Sequence, residues 1–399
     1  MTLLNLNLEK IYHYLLVILG FLLPLTVAGG NLIIGIIVLI WLFSGNYQSK
    51  ISEIINNKLA IASILFFSIH VVGLIWTEDM LWGLHIVHKM WYFLLLLPIL
   101  LTIVKKENIR YYISAFLLAM MLSELLSYLV WFEVIPAFKN ATLINPTPFM
   151  SHISYNPLLA FTFYLVSHEV VFNKKLKDMQ RYMYGFFALT ITVNMFITGG
   201  RSGQVAFFII ASILIFQLYG KNLKALLFSI LMILGVFFTA YNNSALFSER
   251  FDSIEHDISN YDNFKDTSVG LRLTFAIHSW EIIKNNVFIG VGTGDFPNEY
   301  KKINMSKTPK LASARNPHNM YILILTQLGL FGLFTLLYMF YVQFRIALIS
   351  ENKFLKDVGL ILPILFLIIM WSDSYLLGHY TTLMFVFFSS FLYKDFEKP

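Results

Sequence analysis

The amino-acid sequence predicts an all-α protein that crosses a membrane about twelve times. Of its 399 residues, 57% are hydrophobic and only 13% are charged, whereas soluble domains carry roughly 25% charged residues. The chain also contains a series of apolar segments of about 20 residues, the length at which an α-helix spans a bilayer. Aromatic residues reach 17%, which suits lipid-facing surfaces and interfacial belts.

Twelve apolar segments qualify as spans or come close to doing so. The first 28 residues resemble a signal peptide, but Pro24 interrupts the apolar run and a second apolar segment follows at once. We therefore expect an uncleaved first span. No repeat and no linker-like composition divides the chain, so residues 1–399 are expected to form one transmembrane domain. The spans are predicted to start near Ile11, Asn31, Leu59, Leu84, Tyr111, Ser154, Tyr182, Ser202, Ala225, Met320, Val358 and Leu377.

Lysine and arginine are concentrated in alternate loops, as in the loop that holds Lys105, Lys106 and Arg110. The opposite loops, around residues 29–30 and 78–79, are poor in cations. The positive-inside rule then places both termini in the cytoplasm. The same excess of cations accounts for the net charge of +6 without a nucleic-acid partner.

Two segments on the outer side depart from this pattern. Residues 133–152 are rich in Pro and Asn, and residues 242–318, between the ninth and tenth spans, are long and charged. Long loops translocate largely regardless of charge, and long ordered loops are usually functional. Within the second segment, an apolar stripe with helical spacing predicts an amphipathic helix near the membrane surface. Its members are Leu271, Phe275, Ile282 and Ile283.

The first candidate functional residue is Arg201, in the short turn Thr198-Gly199-Gly200-Arg201-Ser202-Gly203 between two spans. The turn places this arginine at the outer membrane surface or just inside it. The glycines allow another group to approach the backbone closely, which favours a functional site. The alternative is a snorkelling arginine that stabilises the turn.

Arg272 lies on the predicted surface helix, and by itself such an arginine is equally explained as a solvated charge. The segment Gly290-Val291-Gly292-Thr293-Gly294 follows in the chain. It lacks the preceding strand and the glycine spacing of a dinucleotide fingerprint, and it lies outside the cytoplasm. We exclude nucleotide binding and expect a turn that closes over the surface helix.

His318, in Asn316-Pro317-His318-Asn319, comes immediately before the tenth span. An imidazole ordinarily titrates near pH 6.5, about the range in which a general base is useful. The alternative is an interfacial histidine that is hydrogen-bonded to backbone. A basic stretch upstream is suited to anionic lipid or a phosphorylated sugar, or is simply solvated. It consists of Lys301, Lys302, Lys307, Lys310 and Arg315.

No metal site is predicted. The chain has no Cys, no His-Glu-x-x-His and no paired Asp motif. The histidines at positions 85 and 88 are a weak indication of metal binding. Lys89 beside them either meets a phosphate or anchors its helix at the interface, and Asp373 and His379 are similarly ambiguous.

Taken together, these sites resemble those of the O-antigen ligase family, which is related to the O-antigen polymerases. The resemblance rests on the Gly-Gly-Arg201-Ser turn and on the Arg272 helix followed by Gly-x-Gly-x-Gly. Its most specific part is Pro317-His318-Asn319-Met320-Tyr321, which leads into Gln327-Leu328-Gly329-Leu330-Phe331-Gly332. It covers roughly residues 185–345, and the first half of the chain matches only in hydropathy. Family members have about 400 residues, about twelve spans and one large loop between the ninth and tenth.

The resemblance implies a glycosyltransferase of the C type, which uses lipid-phosphate donors, at the periplasmic face of the bacterial inner membrane. Its donor would be a glycan on undecaprenyl pyrophosphate and its acceptor the lipid A–core oligosaccharide, with no metal or nucleotide cofactor. Arg201 and Arg272 would bind the pyrophosphate and His318 would act as general base. We also expect Asn319, Lys89 and Arg315 to contact substrate.

Two other functions stay open. One is an O-antigen polymerase of the same superfamily, and the other is a polysaccharide exporter or flippase. An exporter should carry charges within its spans along a path. Here the candidate cations cluster at one face, which favours an enzyme.

Overall fold

The computed structural model describes residues 2–220, 222–261, 265–394 and 396, and these residues form helices and no strands. The all-α prediction is confirmed. The α-helices of the described residues are α1 Thr2–Leu22, α2 Val27–Phe43, α3 Tyr47–Asn56, α4 Lys58–Val72, α5 Met80–Trp91, α6 Leu97–Ile103, α7 Ile109–Trp131, α8 His152–Phe172, α9 Asp178–Ile197, α10 Arg201–Tyr219, α11 Leu223–Asn243, α12 Ala245–Ser259, α13 Ser268–Asn285, α14 Phe296–Lys307, α15 Met320–Ile349, α16 Lys353–Ile369 and α17 His379–Leu392. A π-helix, Tyr92–Leu96, joins α5 to α6.

Each of the twelve predicted spans coincides with a helix, but not all of these helices are equally long and apolar. Among the described residues, six are long and apolar enough to cross a membrane, and a seventh is added if α2 and α3 form one broken span. These two helices are bent by 117° relative to each other. A multi-pass membrane protein is therefore confirmed, and the number twelve stays a prediction.

The chain folds as two compact units. Unit 1 comprises the described residues of Met1–Ile34 and Glu107–Ser253, and unit 2 those of Gly35–Lys106 and Ile254–Pro399. Arg201 belongs to unit 1. Arg272 and His318 belong to unit 2.

In unit 1, α8 lies between α9 and α10, and α1 packs along α7. The core contains large aromatic side chains such as Tyr155 and Phe161. Helix α10 approaches α8 closely because Gly203 has no side chain. A Cβ atom at this position would lie 2.5 Å from the backbone carbon of Asn156.

In unit 2, α15 packs along α4 and is broken at Gly329, whose φ of 60° and ψ of −156° are not helical. The break exposes backbone groups of α15, and the Gly290–Gly294 segment bonds to them. The amides of Val291 and Gly292 donate to the carbonyls of Thr326 and Gln327, both at 2.9 Å. A Cβ atom on Gly290 would lie 2.4 Å from the Gln327 carbonyl oxygen, so glycine is required there.

The same segment also contacts the first helices of unit 2. The Thr293 hydroxyl donates to the His70 carbonyl of α4 at 2.6 Å. Asp295 accepts from the amides of Glu78 and Asp79, ahead of α5, at 2.8 and 2.7 Å. The turn also lies against the α13 helix as expected, because Val291 packs against the cluster that contains Phe275 and Ile282 of α13.

The predicted helix in the long loop is present as α13, with Thr267 as its N-cap. Its predicted apolar stripe faces protein. Phe275 and Ile282 pack with Phe296 and Tyr300 of α14 and with Leu323 of α15. A second stripe stays exposed on α13 and contains Leu273, Ile277 and Trp280. The predicted position of α13 near the membrane surface stays a prediction, and the apolar face available for such a contact is the exposed one.

Candidate functional site

His318 is held in a strained backbone conformation at the entrance to α15. Its φ of 51° lies in the left-handed region, which a residue with a side chain seldom adopts. Its amide donates to the Asn316 side-chain oxygen at 2.9 Å. Strain of this kind persists where the surrounding structure enforces it, and it is concentrated at functional sites.

The His318 imidazole is oriented by Asp373, from the turn after α16. Its Nδ1 lies 3.2 Å from Asp373 Oδ1, and the same oxygen accepts from the Ser374 amide at 2.7 Å. A carboxylate only accepts hydrogen bonds, so in the neutral tautomer that fits this contact Nδ1 carries the hydrogen and Nε2 the lone pair. The His318 side chain is 44% exposed. The ring therefore presents a proton-accepting nitrogen in a position that another molecule can reach.

Asn316 and Asn319 complete the support around this histidine. The Ser374 hydroxyl donates to Asn316 Oδ1 at 2.9 Å. Asn319 caps α15 by accepting from the Ile322 amide at 3.0 Å, and its Nδ2 donates to the Trp371 carbonyl at 3.1 Å. Both ends of the Asn319 amide are thus engaged within the protein. Its predicted contact with substrate stays a prediction, and its geometry is that of a positioning residue.

Phe275 connects the His318 ring to α13. The two rings are stacked, with centroids 6.1 Å apart and planes at 25°. Arg272 lies three residues earlier on α13, hence on the same face of the helix. Its side chain is half-buried, and within the described part of the chain it makes no hydrogen bond or ion pair. A guanidinium with all its donors available is suited to bidentate binding of phosphate oxygens.

Arg315 and Lys89 are both associated with α5. The Arg315 guanidinium lies over the Trp82 ring, 5.6 Å from its centroid, and Trp82 in turn stacks on His85. Arg315 is exposed. Lys89 is half-buried in the last turn of α5. Both are predicted substrate contacts, and neither role is tested by this arrangement.

Part of the basic stretch is neutralised by carboxylates. Lys302 pairs with Glu299, which raises the pKa of this lysine. Lys307 pairs with Glu281 and lowers the pKa of that carboxyl. Paired lysines attract an anion less strongly than free ones, so within the described part of this stretch Lys301, Lys310 and Arg315 are the better candidates for an anionic ligand.

Arg201, in unit 1, is the first residue of α10 and is half-buried. Side-chain amides hold the turn that precedes it. Asn145 Oδ1 accepts from the Gly199 amide at 2.8 Å, and Asn156 Nδ2 donates to the Gly200 carbonyl at 3.2 Å. A Cβ atom on Gly200 would lie 2.5 Å from Asn156 Cγ. The glycines therefore allow a close approach to the backbone, as expected, and the groups that approach are the side chains of Asn145 and Asn156.

The two asparagines that hold this turn were not identified from sequence. They lie 54 and 44 positions from their partners, and no local spacing connects them. The Pro- and Asn-rich composition of residues 133–152 was the available indication for Asn145. The role of Asp373 is ambiguous from the sequence alone, because it lies 55 positions from His318 and no sequence motif connects the two residues.

Within unit 2, the structure brings His318, Asp373, Phe275 and the Arg272 face of α13 together. Arg201 and its turn are a separate arrangement in unit 1. Among the described residues, no three His, Asp or Glu side chains converge where a metal ion could bind.

Residues 186–337 match the family model described as O-antigen ligase. The matched range contains Arg201, Arg272 and His318, and the match bears out the predicted resemblance to that family. No curated protein matches the chain.

Proposed function

Because the chain carries the O-antigen ligase family domain over residues 186–337, we propose that it is an O-antigen ligase of lipopolysaccharide biosynthesis. In this proposal it transfers a glycan from undecaprenyl pyrophosphate to a hydroxyl of the lipid A–core oligosaccharide. The observation that carries the proposal is the His318–Asp373 pair, which leaves an oriented and exposed proton acceptor at the end of the charged loop.

His318 is the general base of the proposed reaction. Its Nε2 takes the proton of the acceptor hydroxyl as the oxygen attacks the anomeric carbon of the donor. The bond between that carbon and the pyrophosphate oxygen breaks, and its electron pair leaves with the pyrophosphate. Direct displacement of this kind inverts the anomeric carbon. The carboxylate of Asp373 stabilises the imidazolium that forms.

Arg201 and Arg272 bind the donor pyrophosphate in this mechanism. Negative charge grows on the leaving group as the glycosidic bond breaks, and a planar guanidinium offers two parallel donors to phosphate oxygens. Two arginines then fulfil the function that Mg²⁺ has in other pyrophosphate-dependent transferases, and the reaction is metal-independent. The unpartnered state of Arg272 within the described residues supports this assignment.

The remaining predicted contacts have lesser roles. Arg315, exposed against Trp82, is placed to attract an anionic group of either substrate. Lys89 supplies a second cation, and Asn319 positions the start of α15.

The proposed setting is the bacterial inner membrane, with twelve spans in one transmembrane domain. Residues 242–318 form the loop on the periplasmic side, and the active site faces that compartment. Membrane lipids surround the apolar bundle, which receives the prenyl chain of the donor laterally.

Deletion of the gene in its native host, followed by gel analysis of lipopolysaccharide and of lipid-linked glycan, tests the proposal. A ligase leaves bare core while full-length glycan accumulates on undecaprenyl pyrophosphate. A polymerase leaves core that carries a single repeat, and an exporter leaves glycan inside the cell. The wild-type gene should restore the product and a His318→Ala gene should not. Normal lipopolysaccharide in the deletion strain would exclude both the ligase and the polymerase.

A further inference from the structure

One face of α5 carries a column of aromatic and cationic side chains, outside the His318–Asp373 pair. Trp82, His85 and Lys89 are spaced by three and four positions, which places them on the same side of a helix. The Trp82 and His85 rings are stacked, with centroids 4.9 Å apart and planes at 29°. The Arg315 guanidinium lies over the Trp82 ring, 5.6 Å from its centroid, and extends the column where α5 begins.

Lys89 lies deep in an apolar segment. Helix α5, the π-helix and α6 together form Met80–Ile103, which is long and apolar enough to cross a membrane. Lys89 is nine residues from the nearer end of this segment (89 − 80), about 13 Å along a helix. It is half-buried, and among the described residues it forms no hydrogen bond and has no carboxylate partner. A charge at such a depth is unfavourable unless an opposite charge receives it, and charges of this kind mark ligand sites.

The Lys89 ammonium is directed toward the other members of the column. Side chains of a helix lean back toward its N-terminus, so Lys89 extends toward His85 and Arg315. Lys89 and His85 interact electrostatically. At the other end, the column stops at Tyr92, whose hydroxyl is engaged with His379 Nδ1 at 2.7 Å. The groups left to bind a ligand are therefore the Lys89 ammonium, the His85 ring and the Arg315 guanidinium.

The acidic side chains near the start of α5 are used elsewhere. Asp79 caps the helix by accepting from the Trp82 amide at 3.0 Å. Glu78 lies 3.9 Å from the Lys302 ammonium. The column thus keeps its positive charge and is suited to an anion.

The exposed side of α5 indicates that this anion belongs to a lipid. Leu81 and Leu84, which lie beside the column, are 84% and 50% exposed, and His85 is exposed as well. In a membrane such apolar side chains face lipid, so a ligand reaches the column laterally. The anionic group of a membrane lipid is a phosphate, which guanidinium and ammonium groups bind.

We propose that Lys89, His85 and Arg315 bind the phosphate group of a membrane lipid, with Trp82 holding the guanidinium in place. Arg315 lies three residues before His318, so the bound lipid is close to the proposed base. A phosphorylated glycolipid that serves as the acceptor is the lipid that this position favours. That identification rests on the proposed function, whereas the phosphate site itself does not.

Native mass spectrometry of the purified protein tests the site by measuring which added lipids it retains. The probes are phosphatidylglycerol, diphosphorylated lipid A and diacylglycerol, which has acyl chains but no phosphate. The wild type should retain both phosphate-bearing lipids in preference to diacylglycerol. Lys89→Met should weaken this retention by roughly tenfold or more, the effect of one charged hydrogen bond, and Lys89→Arg should keep most of it. Lys58→Met, at an exposed lysine that begins α4, is the matched control and should bind like the wild type.

The results distinguish the sources of the phosphate. Tighter retention of lipid A than of phosphatidylglycerol would identify the acceptor, and equal retention would identify bulk phospholipid. Displacement of either lipid by inorganic phosphate would overturn the assignment to a lipid. Wild-type retention by both Lys89→Met and Arg315→Gln would overturn the site, and Arg315 is exposed, so its replacement does not threaten folding.

Ligation kinetics separate this inference from the proposed function. If the bound lipid is the acceptor, Lys89→Met should raise the KM for the acceptor and leave kcat near the wild-type value, a split that a general structural defect would not produce. An unchanged KM would overturn the identification with the acceptor. A wild type without ligation activity would count against the proposed function instead, and the lipid-binding result would stand.

Discussion

Replacing Asp373 with asparagine tests the general-base assignment most directly, because it removes a charge and almost no volume. In the structure, one oxygen of Asp373 accepts both the His318 Nδ1 hydrogen, at 3.2 Å, and the Ser374 amide, at 2.7 Å. The asparagine Oδ1 can accept both bonds in the same place. The substitution therefore removes the negative charge that stabilises the imidazolium and leaves the histidine where it is.

The size of the effect follows from the distance and the exposure. Two unit charges 3.2 Å apart attract by about 1.3 kcal/mol in bulk water according to Coulomb's law. The His318 and Asp373 side chains are 44% and 21% exposed, so the effective dielectric is closer to that of water than to that of a dry interior. A loss of about 1–2 kcal/mol is expected, which corresponds to roughly 5- to 30-fold in kcat. His318→Ala removes the base itself and should cost about 10²- to 10⁴-fold.

The assay is single-turnover ligation with purified protein, lipid-linked donor and core acceptor, for the wild type, both single variants and the double variant. If Asp373 acts through His318, Asp373→Asn should have no further effect in the His318→Ala background. Donor binding should change little in any of them, because the arginines hold the pyrophosphate. Asp357→Asn is the control, since that carboxylate pairs with Lys353 at the other end of α16, and it should ligate normally at matched expression. Equal effects of Asp373→Asn in both backgrounds would refute the general-base pair.

Three further predictions concern the arginines, the Arg201 turn and the topology. Arg→Lys at Arg201 or Arg272 should reduce ligation nearly as much as Arg→Ala, since a point charge cannot replace the planar fork; near-normal ligation by either lysine variant at normal expression would exclude bidentate phosphate binding there. Gly200→Ala should destabilise the protein by about 1–3 kcal/mol through its clash with Asn156, whereas Gly185→Ala, which meets nothing within 4 Å, should not; equal melting temperatures in detergent would contradict the tight packing. Reporter fusions should give cytoplasmic signals at Asn108 and Asp178 and a periplasmic signal at Asn260. A periplasmic signal at Asp178 would overturn the predicted orientation.

The sequence was most informative about features that a short segment of the chain specifies by itself. The apolar segments predicted where helices lie, because a helix in a membrane satisfies its backbone internally and needs only about 20 apolar residues in a row. The Pro317-His318-Asn319 motif marked the entrance to α15 for a similar reason. Asn319 caps a helix that begins at the next residue, and capping is a local property of the chain.

The sequence was misleading where contacts are made by distant parts of the chain. Leu271 and Phe275 have the spacing of an amphipathic helix, but periodicity alone cannot distinguish a membrane surface from the protein core as the apolar neighbour. The structure packs this stripe against α14 and α15. The glycines at 290–294 indicated that another part of the chain approaches this backbone closely, but they did not identify it. In the structure it is the backbone of α15 beside its break.

The sequence by itself predicted an all-helical membrane protein that resembles the O-antigen ligase family, with candidate arginine and histidine residues at the start of α10, on α13 and immediately before α15. Hydrophobic length, helix caps and short motifs encode these features within a few residues. Only the tertiary structure decided that Asp373 orients His318 and that Asn145 and Asn156 hold the Arg201 turn. Each of these contacts joins residues that are 40 or more positions apart, and no local pattern specifies which distant group will meet which.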